Sequence, residues 1–344
     1  MGQPVSTERR PVAVVVTAMG ADEADAVLPP ELRTRLTELA APVPGVLTGA
    51  LTTPAAREAL AHADILLTGW GCPPLTEDVL RGAPRLRAVV HAAGSVKRLV
   101  SEAVWERGIV VSSAADANAG PVADYTLAVI ALAAKGALTT AAAYGARCEG
   151  WPAFRDRRGA DGRTIGVVGA SRIGRRVLAG LRASDAAYRI LLHDPYVPGP
   201  EAELLGAEPV GLDALCRRSA LVTVHAPETP ETRHLLDARR LALLPDGATV
   251  VNTARGSLVD TDALTRECAS GRLSAVLDVT DPEPLPPDHA LLRMPHVLVT
   301  PHIAGAQGSE ARRLGAYAVE EIGRLVRGEP LLGLVRKEML EHSA

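Results

Sequence analysis

Between residues 163 and 300, six short apolar runs recur roughly every 25–30 residues, with helix-like stretches between them. They read RTIGVVG (163–169), YRILLHD (188–194), ALVTVHA (220–226), ATVVNTA (248–254), LSAVLDV (273–279) and HVLVT (296–300). Near-continuous apolar runs of this kind bury both faces, which argues for parallel strands covered by helices on each side. Six such strands complete a dinucleotide-binding sheet. The first third repeats the pattern less regularly. VAVVVTA (12–18), ADILLTG (63–69), LRAVVHA (86–92) and GIVVSS (108–113) read as strands, with helix-like segments near 31–40, 54–61, 76–81 and 98–107. The expected fold class is α/β, with two doubly wound parallel-sheet domains.

A chain of 344 residues is long enough for two domains. A helix-like stretch, 119–136, lies between the two alternating regions, and a last one, about 308–327, follows the sixth run. If the last packs back on the first domain, the second domain is an insertion. The expected division is 1–118 with 305–344 against 119–304. The stretch Tyr125–Ala146 has one charge, Lys135, at its centre, and threonines and glycines interrupt it. Charge is costly in a bilayer centre, so a helix buried between packed units is expected, and no membrane partner.

Net charge is −3 and the arginines fall in scattered pairs, such as Arg175-Arg176 and Arg312-Arg313, so no basic run suits nucleic acid. Cys72, Cys148, Cys216 and Cys268 are far apart and form no C-x-x-C. Neither a disulfide framework nor a metal site is expected, and reduced thiols fit a cytoplasmic location. The N-terminal MGQPVSTERR has no apolar core and is not expected to be a signal peptide. It matches the short M-G-x-x-x-S acylation pattern, which is too common to carry weight.

The first of the six runs ends in Gly169-Ala170-Ser171-Arg172-Ile173-Gly174, a G-x-G-x-x-G turn with serine at the middle glycine. In that fingerprint the first glycine makes the turn, the second admits the pyrophosphate and the third lets helix pack on strand. A left-handed Ser171 would cost of order 1–3 kcal/mol, whereas an ordinary one leaves its hydroxyl able to donate to a phosphate. The next run ends in Asp194, 20 residues after Gly174, the spacing of an acid that binds the adenosine ribose. No arginine stands beside it to hold a 2′-phosphate, which favours NAD over NADP.

Ligands bind beyond the carboxyl ends of parallel strands. There the sequence delivers Arg255 (NTARGSLVD), Asp278 and Glu283 (LDVTDPEP) and His302 (VTPHIAG), an arginine, carboxylates and an imidazole on one edge. His296 begins its run and lies at the opposite edge, and His289 falls in the Pro-rich loop 281–290. His225 ends its run and rivals His302; spacing alone does not choose between them.

TIGVVGASRIGRRV, HDPY, VHAPETPETRHLL, GATVVNTARGSLVDTDAL, AVLDVTDPEPLP and VLVTPHIAG, in this order and spacing, resemble the NAD-dependent D-isomer-specific 2-hydroxyacid dehydrogenases. HAAGSVKRLV (91–100) resembles that family's substrate-domain loop and AGPVADYTLAVIALA (119–133) its interdomain helix. The resemblance implies a Rossmann NAD-binding domain inserted into a flavodoxin-like substrate domain, with catalytic Arg255, Glu283 and His302. It implies that Gly94, Ser95 and Val96, together with Arg255, bind a small anionic substrate. It places His225 with Ala226, Pro227 and Thr232 along the cofactor. Gly169, Ser171, Arg172, Ile173, Gly174, Asp194, Thr253, Ala254, His302 and Gly305 join them, and Asp278 holds the nicotinamide carboxamide. A homodimer through the cofactor domains is implied.

The chemistry agrees. Reducing a 2-oxo acid needs a hydride on the carbonyl carbon and a proton on its oxygen. A carboxylate beside an imidazole favours the protonated ring and fixes its tautomer, and a guanidinium fork orients the substrate and polarises its C=O. Ser171, the pair Asp124-Tyr125 in place of a common Glu-His, and GSVKRL in place of G-x-D-N all depart from the family pattern. Glu283 argues against a formate dehydrogenase, and 344 residues are not expected to include the regulatory domain of long phosphoglycerate dehydrogenases. Alternatives are a dehydrogenase of a small oxyanion such as phosphite, and a non-catalytic NAD-sensing protein, whose disordered tails the short termini here are not expected to supply.

Overall fold

The computed structural model describes residues 12–147 and 158–340. The acylation pattern at 1–6 and Cys148 lie outside the described residues. The chain divides into two compact units, Met1–Asn118 with Gly308–Lys337, and Ala119–Gln307 with Glu338–Ala344. The two segments of the first unit thus flank the long segment of the second in sequence.

In the first unit β1 (Val14–Ala18), β2 (Ala41–Pro42), β3 (Ile65–Thr68), β4 (Ala88–His91) and β5 (Val110–Ser113) are parallel. In the second, β6 (Thr164–Val168), β7 (Arg189–His193), β8 (Glu208–Pro209), β9 (Leu221–Val224), β10 (Thr249–Asn252), β11 (Ser274–Leu277) and β12 (Val297–Val299) form a wholly parallel sheet. A last strand, β13 (Leu334–Val335), pairs antiparallel with β5 and returns the chain to the first sheet.

The first sheet runs β13-β5-β4-β3-β1-β2, a flavodoxin-like order with one antiparallel edge. The second runs β12-β11-β10-β9-β6-β7-β8, the Rossmann order with one further strand. Its order reverses between β6 and β9, the kind of switch point at which open α/β sheets bind their ligands. Every residue of β3, β4, β9, β10 and β11 is buried, which is why these segments read as unbroken apolar runs. Two clusters sandwich the second sheet. Val224, Val250 and Leu264 belong to one, and Ile165, Val177, Leu192 and Ile130 to the other.

All ten expected strands form. The second sheet has seven strands rather than six, because the two-residue Glu208–Pro209 pairs at its edge. The segment expected as one helix over 125–146 is two, Ala115–Ala134 and Ala137–Arg147, broken at Gly136, whose φ of 66° an L side chain adopts only under strain. By length and composition Ala115–Ala134 passes for a membrane span, but Ala123, Val129 and Ile130 are buried in the second unit's core. The expected helix 98–107 shrinks to Glu102–Glu106, since Leu99 and Val100 turn back on Val96.

Candidate active site

Two glycines of the nucleotide turn are sterically obligatory. Gly169 has φ +93°, and a Cβ there would lie 2.8 Å from the backbone of His225 and Ala226. A Cβ on Gly174 would lie 2.1 Å from the Gly169 carbonyl oxygen. The middle position makes no such demand. Ser171 is extended (φ −63°, ψ −177°) and caps the helix Arg172–Arg182, its Oγ accepting from the Gly174 N–H at 3.3 Å. No left-handed strain arises, and the hydroxyl proton remains available to a phosphate. Arg172 is exposed in the helix's first turn, and Ile173 packs on the core.

Asp194 follows β7. Its Oδ2 accepts from the Ala170 N–H at 2.7 Å and its Oδ1 from the Tyr196 N–H at 2.8 Å. A carboxylate has about four lone-pair sites, so two remain for sugar hydroxyls. A tight glycine turn, an exposed helix N-terminus and a tethered acid at the switch point of the sheet fit a dinucleotide.

Arg255, Glu283 and His302 follow β10, β11 and β12, three adjacent strands, so all three stand at one edge of the second sheet. Glu283 and His302 meet directly. Glu283 Oε1 lies 2.6 Å from His302 Nδ1, and both side chains are about half exposed. With the Nδ1 proton directed to the carboxylate, Nε2 is left for a substrate.

Arg255 is partly buried and donates from Nη1 to the Ala254 carbonyl at 2.6 Å. Asn252 fixes its turn, since Nδ2 donates to the Arg255 carbonyl at 2.8 Å and Oδ1 accepts from the Ala254 N–H at 3.0 Å. The next residue, Gly256, sits so close to the following loop that a Cβ would lie 2.0 Å from the Thr280 carbonyl. That contact locks the Arg255 turn to the segment that carries Glu283.

His302 adopts a left-handed conformation, φ 56°, which a non-glycine residue keeps only when its surroundings dictate it. Asp278, buried beneath, supplies that constraint. Its carboxylate accepts from Thr300 Oγ1 at 2.6 Å, Ile303 N–H at 2.8 Å and Ala304 N–H at 2.9 Å. The His302 N–H itself bonds the Asp278 carbonyl at 2.9 Å. This service to the loop carries no sequence signal. Gly305 ends the loop, half-buried.

Thr253 and Ala254 are buried just beyond β10, and Thr253 Oγ1 meets Thr126 Oγ1 at 2.8 Å. His225 is wholly buried under the glycine turn, with Nε2 at 3.0 Å from Thr223 Oγ1, and burial pushes its pKa down to about 3. A ring so enclosed is badly placed to exchange a proton with a substrate, whereas His302 is half exposed. Ala226 and Pro227 continue that segment, and Thr232 Oγ1 closes it by donating to the Pro227 carbonyl at 2.6 Å. His296 bonds the Cys268 carbonyl at 2.9 Å, and His289 accepts from Leu291 N–H at 3.3 Å. Among the described residues no cluster of acidic, His or Cys side chains suits a metal ion, and Cys72, Cys216 and Cys268 are free thiols.

Gly94, Ser95 and Val96 follow β4 in the first unit. Val96 is buried, and Ser95 Oγ accepts from the Lys97 N–H at 3.4 Å. Beneath them His91 lies buried, Nδ1 at 2.9 Å from Thr68 Oγ1; burial pushes its pKa down to about 4, opposed by a backbone hydrogen bond to Ser95.

Residues 128–304 match the sequence model described as the D-isomer specific 2-hydroxyacid dehydrogenase, NAD binding domain. D-3-phosphoglycerate dehydrogenase of Methanocaldococcus jannaschii is 37% identical over 83% of this chain and 53% of its own length. Glyoxylate reductase of Aeropyrum pernix is 33% identical over 83% of this chain and 85% of its own. The chain thus spans about half the length of the phosphoglycerate dehydrogenases it matches. The crystal structure of the TT0316 protein from Thermus thermophilus superposes with a TM-score of 0.75 and 32% identity, over 94% of this chain and all of the other.

Proposed function

The chain belongs to the D-isomer specific 2-hydroxyacid dehydrogenase family, and on that premise we propose that it is an NAD-dependent oxidoreductase interconverting a small 2-oxo acid and its 2-hydroxy acid. The observation that carries the proposal is the 2.6 Å Glu283–His302 pair, on the same strand-end edge as Arg255 and on the sheet that holds the nucleotide turn.

NADH, when bound, supplies the hydride. Gly169, Ser171, Arg172, Ile173 and Gly174 would hold its pyrophosphate and Asp194 its ribose. His225, Ala226, Pro227, Thr232, Thr253, Ala254, Asp278 and Gly305 would line the rest. Arg255 holds the substrate's carboxylate and carbonyl oxygen in its planar fork and stabilises the charge that develops on that oxygen. His302 gives the proton on Nε2 to the same oxygen, while Glu283 keeps the ring in register and balances its charge. In the reverse direction His302 takes the hydroxyl proton. The amides of Gly94, Ser95 and Val96 take the substrate carboxylate, which makes 1–118 with 305–344 the substrate domain and 119–304 the cofactor domain. Asp194 disfavours a 2′-phosphate, so NADH is preferred over NADPH. A cytoplasmic homodimer, joined through the cofactor domains, completes the reading.

The test is NADH oxidation with glyoxylate, hydroxypyruvate and branched 2-oxo acids, and NAD reduction with phosphite and other small oxyanions. Turnover with a 2-oxo acid supports the proposal. NADH binding without turnover of any of them would favour a sensor, and NAD reduction by phosphite alone an oxyanion dehydrogenase.

A further inference from the structure

Two neighbouring hydroxyls on the helix Ala115–Ala134 reach the strand ends that carry the reactive groups. Thr126 meets Thr253, two residues before Arg255, and Tyr125 meets Thr300, two residues before His302, each at 2.8 Å. The second contact continues inward, because Thr300 Oγ1 lies 2.6 Å from Asp278 Oδ1. We infer that Tyr125 is a positioning residue for His302, acting through Thr300 and Asp278; the inference rests on the proposed role of His302 in proton transfer.

The direction of each bond follows from the donors present. A carboxylate only accepts, so the single Thr300 hydroxyl proton points to Asp278. Thr300 then has only lone pairs to offer Tyr125, so the phenol donates. The chain runs Tyr125 Oη–H to Thr300 Oγ–H to Asp278 Oδ1, and the two Asp278 oxygens hold the N–H groups of Ile303 and Ala304 on the far side of His302. His302 is therefore held from both flanks, by its own N–H on the Asp278 carbonyl and by the two N–H groups that follow it.

Burial raises the Tyr125 pKa and the Asp278 charge adds to the rise, with a net upward shift. The phenol keeps the proton that it donates across the working range. A phenylalanine would fill the same space without the donor. Thr300 would lose its fixed orientation and Asp278 one of the constraints on its carboxylate. The left-handed His302, which has no conformational preference of its own for this shape, would then sample other positions. The reactive nitrogen, not the cofactor cradle, feels the change.

The experiment compares wild type, Tyr125→Phe, Thr300→Ser, Thr300→Val, the Phe/Val double variant and His302→Asn, using the 2-oxo acid reduced fastest. Tyr125→Phe should lower kcat about three- to tenfold, the range that one aligned hydrogen bond supports. NADH affinity by fluorescence and the substrate KM should stay within about twofold, since uniform binding is untouched. Thr300→Ser should retain most of kcat. Thr300→Val should lose at least as much as Tyr125→Phe, and adding Tyr125→Phe to it should change little further. Wild-type kcat in Tyr125→Phe, or additive losses in the double variant, would overturn the inference while a dead His302→Asn left the dehydrogenase reading intact. A fully active His302→Asn would overturn both. If Tyr125→Phe unfolds, the contrast between Thr300→Ser and Thr300→Val decides: equal rates overturn the inference and a wide gap supports it.

Discussion

The strand ends of the two sheets carry different chemistry. Immediately beyond β1, β3 and β4 of the first sheet the chain continues as Met19-Gly20, Gly69-Trp70-Gly71 and Ala92-Ala93-Gly94, with no ionisable side chain after β4 until Lys97. Beyond β10, β11 and β12 of the second come Arg255, Asp278 with Glu283, and His302, each tied down by a side chain or a close backbone contact. The second sheet is wholly parallel and the first is parallel but for its edge strand β13, and the central strands of both are buried. Layered α/β structure alone therefore does not mark a site; the proposed reaction rests on the side chains set on one edge of the second sheet.

That contrast is sharpest at Arg255. Arg255→Lys keeps the charge but loses the fork, so kcat/KM should fall about 10²–10³-fold, or roughly 3–4 kcal/mol of transition-state stabilisation. Steady-state kinetics with NADH measures it, and a loss below about tenfold would take the catalytic weight off this edge.

In acid the two units should behave alike. His91 in the first and His225 in the second are buried neutral, with pKa values near 4 and 3 against an ordinary 6.5. Between those values the unfolded chain binds protons that the folded one refuses, so stability rises with pH in that interval. Their contribution is complete above about pH 6.5 and lost as pH falls toward 4 and then 3, amounting to a few kcal/mol in order of magnitude. Thermal melts from pH 7 to 4 should show it, and His91→Gln with His225→Gln should flatten the decline. An unchanged slope in both variants would contradict the assignment.

The smallest effect is expected at Ser171. Removing the cap in Ser171→Ala should cost about 1 kcal/mol of stability, whereas Ser171→Gly should cost only a few tenths. Because Ser171 is extended, glycine there should leave NADH affinity within a few-fold of wild type. A large gain on titration would mean that the serine obstructs the cofactor.

Much of this architecture was legible in the sequence because burial on both faces of the central strands leaves unbroken apolar runs, and ten of the thirteen strands among the described residues fall in such runs. β2, β8 and β13 are two-residue edge pairings, too short for any periodicity, and β2 and β8 contain proline. The helix Ala21–Val27, rich in acid and alanine, likewise carried no clear pattern. Within the site, residue types and strand-end positions pointed to Arg255, Glu283 and either His302 or His225, and only the family resemblance chose His302. The left-handed His302, the donors gathered on Asp278 and the reach of Tyr125 to Thr300 depend on contacts between distant segments, which local sequence does not encode. Ser171 was ambiguous for a related reason, since its backbone angles, not its identity, decide whether it is strained.

Proton delivery by His302 is the step on which the proposed reaction depends. The most direct measurement is single-turnover NADH oxidation by wild type and His302→Asn, each preloaded with NADH and mixed with a saturating 2-oxo acid. The variant should bind NADH as wild type does and oxidise it at least about 100-fold more slowly; equal rates would contradict the account.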